Sequence, residues 1–247
     1  MKSNVDNRAE GSGSDRTLRR SLPWTTVVQA LFYFLVLPFV PLLVAWRWTW
    51  WQGWLSAGLA ILASAVSRAL ALRRNPDLAA ERAQGTSGEG TKGWDRVLGP
   101  AIAFYGSLIL YAVAGLDKRF GWSPDLPLVL NLVSAGVTVL GYALGTWAMV
   151  ENRFFSSVVR IQKDRDHSVV TTGPYRFVRH PSYAGGIAAV LAMALLLGSL
   201  WALIPAGLMV GGIVVRTALE DQTLQAELPT YAEYARQTRY RLLPGVW

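Results

Sequence analysis

The sequence predicts an all-α integral membrane protein, with four spanning helices followed by a short C-terminal helical hairpin. Three observations carry that reading. Only 16% of the 247 residues are charged and 52% are hydrophobic, where a soluble domain carries about 25% charged residues. The apolar residues fall in uncharged blocks long enough to cross a hydrocarbon layer of about 30 Å. Basic residues concentrate in every second connecting segment between these blocks.

Residues 1–21 are polar, contain Gly and Ser, and lack apolar periodicity; they are expected to form a disordered cytoplasmic tail. The apolar run that follows is too long for a signal peptide core, and no small-residue cleavage site follows it. Leu22–Trp46 is the first expected span, kinked by Pro38 and Pro41. Gly53–Leu72 is the second, with Arg68 near its end, and Val97–Leu116 and Leu126–Val150 are the third and fourth. Together, residues 22–150 make a four-helix transmembrane region. Ala184–Val215 is a single uncharged run, punctuated at Gly198-Ser199. It is too long for one perpendicular helix and reads as a hairpin of two short helices, neither of which needs to cross fully. The polar residues around it define an expected catalytic region, 151–247.

Charge sets the expected sidedness. Of 24 Lys and Arg, 20 fall in the tail, in Arg73–Arg96, in Arg153–Arg179 and in Arg216–Arg241. Only Arg47, Lys118 and Arg119 fall in the opposite loops, and Arg68 lies inside a span. The positive-inside rule then places both termini in the cytoplasm. The tryptophans at 46, 48, 50, 51 and 54 read as an interfacial aromatic belt.

Several classes drop out. There is no cysteine, hence no disulfide, thiol nucleophile or zinc–thiolate site. Two histidines make a histidine-rich metal site improbable, and no metal ligand is assigned. The net charge of +8 reads as topology and anionic-lipid contact rather than nucleic-acid binding. No glycine-rich dinucleotide loop follows a strand, because the glycines at 85, 88 and 90 lie in a polar loop. No Walker loop, HExxH or G-x-S-x-G is present.

Polar residues concentrate in two segments, Glu151–Tyr183 and Arg216–Trp247. A hairpin between them returns the chain to the same face, so the two can form one composite site. A single span would separate them. Gly173-Pro174 marks a turn. Pro181 suits the first turn of a helix, where its missing N–H costs nothing. Arg179 and His180 then stand at a helix N-terminus, where free N–H groups and the dipole favour an anion. Contact of Arg179 with lipid phosphate is the plainer alternative. Arg216 and Glu220 are four apart, on one helix face, and read either as a local ion pair or as a binding pair. The segment from Tyr231 to Pro244 is basic and aromatic, and by itself suits a bilayer surface.

With these residues in view, the chain resembles the isoprenylcysteine carboxyl methyltransferase family, to which the phospholipid methyltransferases are related. Gly-Pro-Tyr at 173–175, Arg-His-Pro-Ser-Tyr at 179–183 and the acidic pair after Arg216 carry the resemblance, which covers Glu151–Trp247. More loosely, Asn75–Leu78 and Gly93–Arg96 look like the front half of bacterial members. The resemblance implies a membrane-embedded, all-helical enzyme dependent on S-adenosylmethionine, with its cofactor site on the cytoplasmic face. It implies cofactor contacts at Gln162, His167, Ser168, Val169, Val170, Tyr175, Arg179, His180, Pro181 and Ser182. It places Arg216 and Glu220 at the methyl acceptor. Asp221 stands where many members have a second glutamate, and His167–Val170 keeps only the histidine and the apolar end of the usual pattern.

The implied reaction is methyl transfer to a lipophilic acceptor: the carboxylate of an isoprenylcysteine-like molecule, a free prenylated acid, a phospholipid amine or a small thiol. The partners are that acceptor and the bilayer. Two rivals stand beside it: an NADPH-dependent enzyme resembling membrane sterol reductases, which end in a similar tail, and a non-enzymatic membrane protein. The spans carry almost no ionisable groups, which argues against a polar transport path.

Overall fold

The computed structural model describes residues 31–75 and 90–247. The expected tail, the start of the first expected span, and residues 76–89 with the glycines at 85 and 88 lie outside the described residues. Among the described residues, seven helical segments longer than one turn follow in order: α1 (Phe32–Ala45), α2 (Trp51–Arg74), α3 (Asp95–Phe120), α4 (Leu128–Glu151), α5 (Pro181–Leu196), α6 (Leu203–Glu227) and α7 (Tyr231–Gln237). Among the described residues there is no strand.

Four of these helices, α2, α3, α4 and α6, are long and apolar enough to cross a membrane. Three coincide with the expected second, third and fourth spans. The described part of the first expected span is the shorter α1. Its backbone passes from a π-turn at Phe32–Val36 through a 3-10 turn at Leu37–Phe39 into α-helix at Val40–Ala45. Pro38 and Pro41 lack the N–H groups that a regular ladder would use, which accounts for the irregularity.

The fourth crossing helix revises the hairpin. The turn falls where Gly198-Ser199 places it, with Gly198 in the left-handed region at φ +70°. The first arm is short, as expected: α5 has 16 residues, about 24 Å at 1.5 Å per residue. The second arm is not short. It runs 25 residues, past Val215 to Glu227. Charge at Arg216, Glu220 and Asp221 suggests an end at the membrane surface, but helix continues because each of these side chains finds a partner within the protein.

Two close packings set the frame. A β-carbon on Gly141 of α4 would lie 2.5 Å from the carbonyl oxygen of Gly185 on α5, and one on Gly185 would meet the Gly141 oxygen in return. Small residues thus let the two backbones touch, the usual route to tight helix association in lipid. Gly115 of α3 meets the Pro41 carbonyl of α1 in the same way, at 2.8 Å. The core gathers where α1, α3, α5 and the start of α6 meet, around Leu42, Ala114, Leu196 and Ala206, all fully buried.

The two ends of the bundle are fastened differently. At one end, Asp117 of α3, 2% exposed, accepts hydrogen bonds from the Ser123 backbone N–H (2.7 Å), the Ser123 hydroxyl (2.6 Å) and the Ser199 hydroxyl (2.5 Å). This ties the α3–α4 loop to the α5–α6 turn. At the other end, α2 and α4 finish together, with Asn75 Nδ2 donating to the Val150 carbonyl at 3.0 Å. There α5 begins, α6 finishes, and the polar segments converge.

Candidate active site

The loop between α4 and α5 is polar but largely enclosed. Gln162 is fully buried. Its Nε2 donates to the Phe154 carbonyl (2.6 Å), its Oε1 accepts from Arg165 Nη1 (2.7 Å), and its backbone N–H donates to His167 Nδ1 (3.3 Å). The last bond requires the tautomer with Nδ1 unprotonated. Burial, followed by the charges of Arg160 and Arg165, pushes the His167 pKa down to about 4. His167 is therefore a neutral imidazole, lying against Phe154 with ring centroids 4.5 Å apart.

This loop, the start of α5, the end of α6 and α7 line a partly open cleft of about 100 Å³. Eight of the ten expected cofactor positions line it: His167, Ser168, Val169, Val170, Tyr175, Arg179, His180 and Ser182. Gln162 and Pro181 do not. Gln162 stitches the loop behind the wall, and Pro181 is buried at the first turn of α5. Glu220 lines the cleft and is its only carboxylate among the described residues. Phe154, Val158, Val159, Tyr183 and Tyr231 also line it, and spacing in the sequence did not single them out for this.

Asp221, fully buried, organises one wall. Its Oδ1 accepts from the Tyr231 hydroxyl at 3.0 Å and lies 3.4 Å from His180 Nε2 and 3.3 Å from Arg179 Nε. Its Oδ2 accepts from Arg241 Nε at 2.9 Å and Gln225 Nε2 at 2.8 Å. A buried carboxylate needs such compensation, because desolvation otherwise disfavours its charge. The tail after α6 is thus part of the site rather than a surface strip. Tyr234 donates to the Tyr175 carbonyl at 2.7 Å, and burial pushes its phenol up to about 12, so it stays a donor.

The tail also revises the helix-end expectation. The Arg179 and His180 backbone N–H groups are not free for an anion; they donate to the carbonyls of Tyr240 and Arg241, each at 2.9 Å. Arg179 Nε, buried beside the cleft, faces the Asp221 carboxylate without a well-aligned hydrogen bond.

Arg216 and Glu220 do not pair with each other. Glu220 accepts the Tyr183 hydroxyl at 2.6 Å. Arg216 grips Asp95 at the start of α3, Nε to Oδ1 at 2.7 Å and Nη2 to Oδ2 at 3.0 Å, and Nη2 also donates to the Ser157 carbonyl at 2.9 Å.

A second cavity, about 440 Å³, opens between the apolar helices α1, α2, α3 and α4. It meets the cleft at Phe155 and Ser182, which line both. Its walls are apolar apart from hydroxyl groups and Arg68, whose guanidinium sits 3.7 Å over the Phe34 ring.

This arrangement falls within a region of recognisable kind. The isoprenylcysteine carboxyl methyltransferase (ICMT) family model matches residues 134–226, from α4 through the cleft to the end of α6. Individual relatives agree in part. Over 72 residues the chain is 42% identical to protein-S-isoprenylcysteine O-methyltransferase of Schizosaccharomyces pombe, covering 29% of this chain and 30% of that protein. Over 120 residues it is 35% identical to cobalt-zinc-cadmium resistance protein CzcN of Cupriavidus metallidurans, covering 47% of this chain and 49% of that protein. The similarity therefore spans less than half the length of either relative.

Proposed function

We propose that this protein is an S-adenosylmethionine-dependent membrane methyltransferase acting on a lipophilic acceptor, with the carboxylate of an isoprenylcysteine-like molecule as the leading candidate. The observation that carries the reading is the junction of two cavities. A polar cleft, lined by eight of the expected cofactor positions, touches a cavity between the apolar helices through Phe155 and Ser182. One receives a soluble cofactor, and the other a molecule arriving from lipid.

The residues fit a cationic, amphiphilic cofactor. Aromatic walls at Phe154 and Tyr175 suit a flat ring, the Arg179 guanidinium in the cleft wall suits a carboxylate, and Glu220 suits a sulfonium. His167–Val170, Tyr175, Arg179, His180 and Ser182 would hold it. When bound, it supplies a methyl group already activated by positive sulfur. The protein then has to align the acceptor with that methyl and exclude water. An acceptor carboxylate is ionised at neutral pH and needs no general base. Tyr183 fixes the Glu220 carboxylate, and Arg216 contributes fixed positive charge beside it. The distribution of Lys and Arg supports a cytoplasmic orientation for the cleft and both termini.

The test is equilibrium binding of S-adenosylmethionine and, separately, NADPH to the purified protein in nanodiscs, with His180→Ala beside wild type. The expected result is selective S-adenosylmethionine binding, weakened at least tenfold in the variant. NADPH binding alone would turn the reading toward a reductase. Binding of neither by folded protein would remove the enzymatic reading.

A further inference from the structure

Asp95 lies outside both the residues matched by the family model and the expected catalytic region. It is nonetheless fully buried and bonded to the site. Its Oδ1 accepts from Arg216 Nε at 2.7 Å, and its Oδ2 accepts from Arg216 Nη2 at 3.0 Å and from the Val159 backbone N–H at 2.7 Å. Three residues earlier, the Lys92 backbone N–H donates to the Val159 carbonyl at 3.0 Å. Lys92 Nζ also pairs with Glu227 at 2.5 Å. Both backbone groups of Val159, a lining residue of the cleft, are therefore held by the strap that enters α3. Arg216 closes the ring through the Ser157 carbonyl, at 2.9 Å.

We propose that Asp95 is a positioning residue of the active site, orienting Arg216 and fixing the 157–159 wall; this rests on the methyltransferase reading. The planar guanidinium has five N–H donors. Asp95 and Ser157 take the one on Nε and the two on Nη2, leaving the pair on Nη1 for an acceptor. The bidentate fork permits one orientation only, so Asp95 determines which edge of Arg216 faces substrate. It also supplies Arg216 with a buried counter-charge, separate from the Glu220 carboxylate that Tyr183 holds. Asparagine at 95 would keep one acceptor oxygen and present an N–H where Arg216 or Val159 already donates.

A kinetic double-mutant cycle separates positioning from general structural support. Asp95→Asn, Arg216→Lys and the double variant are assayed in nanodiscs for methyl transfer from S-adenosylmethionine to N-acetyl-S-farnesylcysteine as the probe. Each single variant is expected to lose about 100-fold in kcat/KM for the probe, since lysine cannot reproduce the fork. S-adenosylmethionine binding should persist in each variant, with a loss smaller than that in kcat/KM, which also reports folding. The double variant should lose no more than about threefold beyond Arg216→Lys. Multiplied losses, near 10⁴-fold, would overturn the proposal.

A second readout needs no turnover. In protein with 15N-labelled arginine, the Nε–Hε signal of Arg216, identified by its loss in Arg216→Lys, should move toward the free-arginine position in Asp95→Asn and be retained in Asp95→Glu. An unmoved signal in Asp95→Asn overturns the assignment. Wild type that binds no S-adenosylmethionine would remove the methyltransferase reading, and with it any catalytic role for Asp95, while the signal still decides the Asp95–Arg216 geometry.

Discussion

The two ends of the bundle each bury a carboxylate, and the two are used in opposite ways. Asp117 is surrounded by neutral donors, two hydroxyls and one backbone N–H, and joins two loops. Asp221 is surrounded by Arg179, His180, Arg241, Tyr231 and Gln225, drawn from three segments that also line or buttress the cleft. Neutral partners make a fastener with nothing left over. Charged partners make a scaffold whose members have further donors to offer a ligand.

The largest expected effect is at Asp221. Asp221→Ala leaves buried cations without their counter-charge, which costs about 3–5 kcal/mol when one member of a buried pair is removed. Thermal unfolding in nanodiscs should register that loss, and S-adenosylmethionine affinity should fall at least 100-fold. Next comes Asp117→Ala, which orphans three donors. It should cost about 1–3 kcal/mol of stability and leave S-adenosylmethionine affinity unchanged; equal damage to binding from both variants would show that the ends are not independent.

The smallest effect concerns His167. Its folded pKa of about 4 lies below the ordinary 6.5, so between those values the unfolded chain binds a proton that the folded chain refuses. Stability from this source is complete above pH 6.5 and declines as pH falls toward 4. Because the ring is partly exposed, the slope is modest. Melting temperature measured from pH 7 to pH 4.5 should fall less steeply in His167→Gln than in wild type; identical slopes would place His167 in water.

Much of this was legible in the sequence, for a physical reason. Uncharged runs must be solvated by lipid or by one another, so α2, α3 and α4 announce themselves. The Gly198-Ser199 turn and the return of both polar segments to one face follow from hairpin length. The full extent of α6 was not legible, because Arg216, Glu220 and Asp221 look like a membrane boundary until their partners are known. Those partners include Asp95, Tyr183, Tyr231 and Arg241. The Asp95–Arg216 bond spans 121 positions, and no periodicity encodes a contact of that range. The tail's own contacts were not legible for the same reason: its aromatic, basic composition suits a lipid surface as well as it suits a protein interior.

The capping of α5 by the tail has a consequence for biogenesis. The N–H groups of Arg179 and His180 are completed by carbonyls at 240 and 241, about 60 residues later in the chain. At roughly 5–20 residues per second, a ribosome needs several seconds to make that stretch. The start of α5 is therefore synthesised well before the segment that finishes its polar end exists. Competence to bind a ligand waits on that segment, because Tyr231 and Arg241 complete the Asp221 wall of the cleft.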